Sequence, residues 1–185
     1  MPYYTGAGDT GETGICDEGR LKKSSPRVKA IGDVDELNSA LGVCRAACKD
    51  KDIIGIINEV QGELFILGSD LAAPAGSKTE GERILPKHTK RVECEIDGVA
   101  KEVGDLKCFI LPGGTDLAAR LHFARAVCRR TERTIVALSE KENINGETLR
   151  YTNRLSSLLF VLARMANERA KVKDIEWPPA APKKK

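Results

Sequence analysis

The sequence predicts an all-α fold: a five-helix bundle with up-down, ferritin-like packing, preceded by an irregular Gly-rich N-terminal segment. Three observations support this. Apolar residues recur in alternating steps of four and three along five separate stretches, the spacing of helices that each bury one stripe. No stretch shows the strict apolar/polar alternation of a half-buried strand. Aromatic residues make up only 4% of the chain while Leu, Ile, Val and Ala dominate, a composition suited to helix packing. A length of 185 residues accommodates one domain with a sizeable core.

Residues 1–32 stand apart from the rest. The run TGAGDTGETG at 5–14 is rich in glycine and hydroxyls, and a basic Ser-Pro run, RLKKSSPRVK, follows it at 20–29. Loop or short irregular structure is expected there. Asp33 followed by Glu36 resembles a capping box, and Val34, Leu37, Leu41, Cys44 and Cys48 continue as a stripe, which predicts a first helix from 33 to about 49–51. Ile53, Ile57, Val60, Leu64, Leu67 and Leu71 form a second, ending before Pro74, Ala75 and Gly76. After a loop to residue 85, Pro86 suits the first turn of a third helix carrying Val92, Ile96, Val99 and Val103, with Gly104 as its stop.

Thr115 is a natural N-cap for a fourth helix, 115–141, whose seam is Leu117, Leu121, Ala124, Cys128, Thr131, Ile135 and Leu138. The turn-forming ENINGE leads to a fifth, with Leu149, Leu155, Leu159, Leu162 and Ala166 running toward 172. The bundle is thus expected over 33–173, with antiparallel neighbours crossing at a shallow angle. Residues 174–185, which include WPPAAPKKK, are expected to be a mobile tail.

The bulk numbers exclude several function classes. A formal charge of +3 does not argue for nucleic acid or a membrane surface. No apolar run approaches a membrane span, and MPYYTGAGD has neither a basic leader nor an apolar core, so a soluble, cytoplasmic protein is expected. The six cysteines include no C-x-x-C pair, which disfavours a zinc knuckle or dithiol site; reduced, mostly buried thiols are expected. His88 and His122 lie outside any E-x-x-H or H-E-x-x-H pattern, which disfavours a di-iron bundle or metalloprotease.

The most informative stretch is 109–133. Beside the seam of the fourth helix, Arg125, Arg129, Glu132 and Arg133 form a second stripe. Three guanidiniums bordering an apolar seam are costly to desolvate, so they either form a solvated basic face or meet an anionic partner. The glycine-rich loop at 5–14 is either a flexible terminus or a set of backbone amides able to approach phosphate, with Lys23, Arg27 and Lys29 nearby in sequence. It is not a Walker motif. Phe109 is either core or ligand-facing. In the fifth helix Asn153, Ser157, Phe160 and Arg164 share a face, where Asn153 either fixes register or reads a base or ribose edge.

Taken together, TGAGDTGET (5–13), GDVDELNSALG (32–42), residues 109–133 and residues 153–164 resemble, in order and spacing, the signature blocks of the PduO-type ATP:cob(I)alamin adenosyltransferases. The resemblance spans nearly the whole chain. It implies a homotrimer of five-helix bundles with active sites between subunits, which transfers the 5′-deoxyadenosyl group of ATP to the cobalt of cob(I)alamin and releases triphosphate.

Carried over by motif, Thr5, Gly6, Ala7, Gly8, Thr13 and Gly14 would wrap ATP, and Lys23 would reach its phosphates. Arg129, Arg130, Glu132 and Arg133 would hold phosphate and Mg²⁺-linked contacts, with Mg²⁺ near Glu132. Asn153 would take a nucleotide hydrogen bond. Helical geometry ranks Arg130 lower, because it points away from the stripe of Arg125, Arg129 and Arg133. Arg125 resembles the arginine that pairs across the subunit interface with the aspartate of the VDEL block, here Asp35, and Phe109 the aromatic that covers the lower face of the corrin.

The chain departs from the family pattern in two places. Ser157 stands where Asp is usual, which removes an expected charge partner for either Arg154 or a neighbouring subunit. Thr10 replaces a common lysine, and Ser24-Ser25 an acidic pair, changes that bear on phosphate affinity. A corrinoid reductase and a B12-dependent enzyme are the implied partners; nucleic acid and membrane are not. The competing readings are a non-catalytic nucleotide- or corrinoid-binding bundle, acting as chaperone or sensor, and a bundle with a scaffold role alone.

Overall fold

The computed structural model describes residues 3–15, 19–73 and 81–177. Five helices build it: α1 (Pro26–Ala47), α2 (Lys51–Ala72), α3 (Pro86–Val103), α4 (Asp116–Ser139) and α5 (Gly146–Arg169). α4 packs on both α1 and α5, while α2 flanks α1 and α3 flanks α5. Among the described residues no helix is long and apolar enough to cross a membrane.

Four of the five helices, all but α3, start where a side chain satisfies one or more of the first free amides. Asp50 accepts from the amides of Asp52 and Ile53, Thr115 from Ala118, and Asn145 from Glu147. Gly104 closes α3 at φ 67°, a conformation that L side chains rarely adopt. The stripes read from sequence become the core: Leu37, Leu41, Leu64, Leu67, Leu121, Cys128, Ile135 and Leu138 are all fully buried.

Three expectations need correction. The first helix begins at Pro26, not at Asp33, because Ser25 caps Val28 and Pro26 presets the first turn. Asp33 lies inside α1 and faces α4 instead: its backbone carbonyl accepts from Thr131 and its carboxylate from Thr134. The apparent loop character of 26–32 reflects Arg27, which is buried and donates to Glu142 and to the Leu71 carbonyl, tying the start of α1 to the ends of α2 and α4.

The second correction is a β-hairpin within the segment read as irregular, where β1 (Glu12–Ile15) pairs antiparallel with β2 (Gly19–Lys22). The third concerns the tail. A strand β3 (Phe109–Leu111) pairs antiparallel with β4 (Ile175–Trp177), placing Phe109 opposite Trp177, so 174–177 belong to the fold. Pro74–Gly76, Cys16 and residues 178–185 lie outside the described residues.

Buried Asn167 ties this ribbon to α5. Its side chain donates to the Gly113 carbonyl and the Asp174 carboxylate and accepts from the Thr115 amide, so one amide holds the turn into α4 and the approach to β4. Gly114, at φ 104°, passes so close that a Cβ there would collide with the Asn167 side chain. Gly114→Ala is therefore expected to cost about 2–3 kcal/mol of stability. Gly113→Ala, whose Cβ would meet open space, should stay within about 0.5 kcal/mol, with urea denaturation as the check.

Candidate active site

The outward face of α4 carries the cationic stripe. Arg129, Glu132 and Arg133 line a cavity of 390 Å³ together with Val136, Ala137 and Glu140. Beside it, sharing Arg133 and Ala137, lies a cleft of 450 Å³ between α4 and the start of α1, lined by Ser24, Lys29, Arg130 and Lys141 among others. Arg129 makes no side-chain hydrogen bond or ion pair among the described residues, and Arg133 donates only to the Arg129 carbonyl. Guanidiniums that make no ion pair, on a concave surface shared with Glu132 and Glu140, keep their donors free for an anion.

Arg130 is different. Its guanidinium is paired with Glu36 of α1, in keeping with its position off the stripe. Glu132 is half-buried, and its Oε1 accepts from Asn153 Nδ2 at 2.8 Å, which joins α4 to α5 at the cavity wall. Lys29 was legible only as a member of a basic run and Lys141 only as the end of the fourth helix; nothing local shows that the start of α1 and the end of α4 meet.

The glycine-rich loop folds onto the hairpin behind it. Gly6 has φ 69°, and the Asp9 amide donates to its carbonyl. Arg20 donates to the Ala7 carbonyl and pairs with Glu12. A Cβ on Gly8 would stand 3.0 Å from Lys23 Nζ, so the lysine packs directly on the glycine backbone, and Ser24 next to it already lines the basic cleft. Thr5 accepts from the Ala7 amide, while Thr13 and Gly14 lie in β1. The loop is thus brought close to the cationic face by Lys23 and the turn into α1.

Arg125 and Asp35 do not meet within the chain. Arg125 lies over the Phe160 ring, 5.5 Å from its centroid, and makes no ion pair among the described residues. Asp35 is exposed on α1 and lines a mostly apolar groove with Val28, Ile31, Leu64 and Phe65. Phe109 is 82% exposed on β3, ruling out a core role within the single chain.

Behind Phe160, edge-on at 5.9 Å between ring centroids, sits His122. It is buried, and neither ring nitrogen has a hydrogen-bond partner. Burial, and then the charge of Arg125, lower its pKa against a weaker opposing pull from Asp174. The Cys44 and Cys128 thiols are poor nucleophiles: burial pushes Cys44 up to about 11, and burial raises Cys128 further. Among the described residues Cys44, Cys48 and Cys128 are buried, as expected of most of the thiols, while Cys108 is half-buried and Cys94 exposed.

Residues 3–166 match the sequence model of a family described as cobalamin adenosyltransferase. The chain belongs to this family. Among curated relatives it is 40% identical over 185 residues to a corrinoid adenosyltransferase of Bacillus subtilis (strain 168), covering 98% of this chain and 94% of that one. It is 38% identical to the corrinoid adenosyltransferase of Mycobacterium tuberculosis (strain ATCC 25618 / H37Rv), covering 95% and 92%. Among solved structures it superposes with a TM-score of 0.91 and 39% identity, over 96% of this chain and 100% of the other, on a phenylalanine-to-alanine variant of a PduO-type ATP:corrinoid adenosyltransferase from Lactobacillus reuteri, complexed with cobalamin and ATP. An arginine-to-lysine variant of that enzyme, complexed with ATP, gives a TM-score of 0.90 at 38% identity, over 96% and 100%. The adenosyltransferase fold here is therefore the five-helix bundle predicted from sequence.

His122 makes the pH dependence of this adenosyltransferase's stability testable. Its folded pKa lies below the ordinary 6.5, so between the two values the unfolded chain binds more protons. Stability should fall as pH drops through the unfolded value toward the folded one. His122→Phe should flatten that part of the denaturation profile between about pH 7 and about pH 5; an unchanged slope would remove His122 as its source.

Proposed function

We propose that the protein transfers the 5′-deoxyadenosyl group of ATP to the cobalt of cob(I)alamin, releasing triphosphate. The observation that carries this reading is the set of uncompensated guanidiniums, Arg129 and Arg133, around the α4 cavity, continuous with the Lys29 and Lys141 cleft. Cobalt(I) is the nucleophile and belongs to a substrate, so the chain needs no nucleophilic side chain of its own. Attack at the ribose 5′ carbon expels triphosphate, whose charge Arg129, Arg133 and Lys23 neutralise in place; positioning and electrostatics supply the catalysis.

Thr5, Gly6, Ala7, Gly8, Thr13 and Gly14 enclose the nucleotide, and Arg130, paired with Glu36, lies at the edge of the phosphate site. Asn153 positions Glu132 and contacts the nucleotide. Mg²⁺ is carried mainly by phosphate and water rather than by a protein cage. Glu132, whose Oε2 makes no hydrogen bond among the described residues, would hold the ion, which adds charge neutralisation at the phosphates. Phe109 presents bulk and hydrophobicity to the lower face of the corrin.

The same reading makes the protein a homotrimer. Phe65, Phe123 and Val43 are exposed on α2, α4 and α1, and Asp35 sits in the apolar groove beside Phe65 while Arg125 lacks a carboxylate. A subunit contact that covers the groove and pairs Asp35 with a neighbour's Arg125 answers both features. A reductase must supply cobalt(I), and reduced thiols accord with a cytoplasmic setting.

Mixing the protein with ATP and chemically reduced cobalamin should give the spectrum of a cobalt–carbon product. ATP binding without that product would leave the non-catalytic binder instead. Arg129→Ala should keep the helical circular dichroism spectrum and lower turnover roughly a thousandfold, and wild-type turnover would remove the stripe from the mechanism. Asp35→Asn should shift the native mass away from the trimer or slow turnover; an intact trimer at the wild-type rate would exclude the cross-subunit pairing.

A further inference from the structure

We propose that Glu93, on α3 and outside every motif of the site, is a positioning residue for the nucleotide: through Arg154 it sets which way round the Asn153 amide points, and so holds Glu132 at the cavity. This rests on the adenosyltransferase reading for its link to ATP.

An asparagine amide has an acceptor end and a donor end, and turning it over exchanges them. Here both ends are committed. Arg154 Nη1 donates to Asn153 Oδ1 at 2.6 Å, and Asn153 Nδ2 donates to Glu132 Oε1 at 2.8 Å. In the reverse orientation the carbonyl would face a carboxylate and the NH₂ group a guanidinium, both repulsive. Arg154 therefore selects the orientation that presents a donor to Glu132.

Arg154 is aimed in turn by Glu93, whose Oε1 accepts from Nε at 3.1 Å across the packed α3 and α5 helices. The other oxygen of Glu93 lies 3.7 Å from Lys90 Nζ. Ser157, exposed one turn after Arg154, makes no hydrogen bond to it among the described residues. The carboxylate absent from position 157 is thus supplied by another helix. The side chains of Arg154 and Glu93 are 45% and 35% exposed, so their attraction contributes little to stability, and its effect is directional.

Glu93→Gln in the full chain is the test, read by steady-state kinetics for both substrates, thermal unfolding and ¹⁵N NMR of the Asn153 side-chain NH₂, assigned with Asn153→Asp. The KM for ATP with Mg²⁺ should rise roughly three- to five-fold while the KM for cob(I)alamin stays constant. Melting should stay within about 2 °C of the wild type, and the Asn153 resonances should move. Glu93→Asp should recover part of the ATP effect. An unchanged KM for ATP overturns the proposal, as does an equal rise in both KM values with a lowered melting temperature, which marks a structural strut. If the wild-type protein makes no alkylcobalt product, the functional reading fails on that ground. The positioning proposal is then decided by NMR alone: moved resonances support it and unmoved ones overturn it.

Discussion

α4 must bury one face against two helices at once while keeping its charges out of the core, and the rest of the molecule is arranged around that constraint. Its inner stripe, Ala118, Leu121, Ala124, Cys128, Thr131, Ile135 and Leu138, is fully buried between α1 and α5. Small residues at Ala118, Ala124 and Cys128 suit close approach of the neighbouring helices, and Thr131 spends its hydroxyl on the Val127 and Asp33 carbonyls. Because the helix repeats every 3.6 residues, burying that stripe leaves Arg129 and Arg133 at its rim. The position of the cationic face therefore follows from core packing.

Polar clamps complete the frame. Arg27 joins α1, α2 and the end of α4; Asp70 accepts from Arg83, the Ile84 amide and Asn145; and Glu63 accepts from Arg91 and buried Tyr151. Burial, with the charge of Glu63 beside it, raises the Tyr151 pKa well above its ordinary value, so it remains a donor. These clamps tie helix ends and the flanking helices α2 and α3 to the rest of the bundle. Asn167 does the same for the β3–β4 ribbon that carries Phe109.

The helices were legible because their evidence is local: long periodic stripes repeat within each segment, and Thr115 caps α4 as its position in the sequence predicts. The β3–β4 pairing was not, since three-residue strands have almost no pattern of their own and Phe109 meets Trp177 only across the intervening helices. The start of α1 was misplaced because a buried arginine reads as a loop residue until its partner Glu142 is seen. In the candidate site, the arginine stripe and Asn153 could be picked out from spacing and resemblance, whereas Lys141, just past the end of α4, and Glu93, on α3, could not, because the sequence around each carries no sign of the contact.

By itself the sequence determined which faces of the helices are apolar, where most helices start and stop, and that three guanidiniums share one stripe, all consequences of short-range periodicity and capping. Only the tertiary structure decided which cations stay uncompensated. Arg130 found Glu36 and Arg154 found Glu93, while Arg129 found no carboxylate among the described residues. Charge pairing between helices depends on distances that chain spacing does not encode, and those distances separate a paired surface arginine from one with no carboxylate partner.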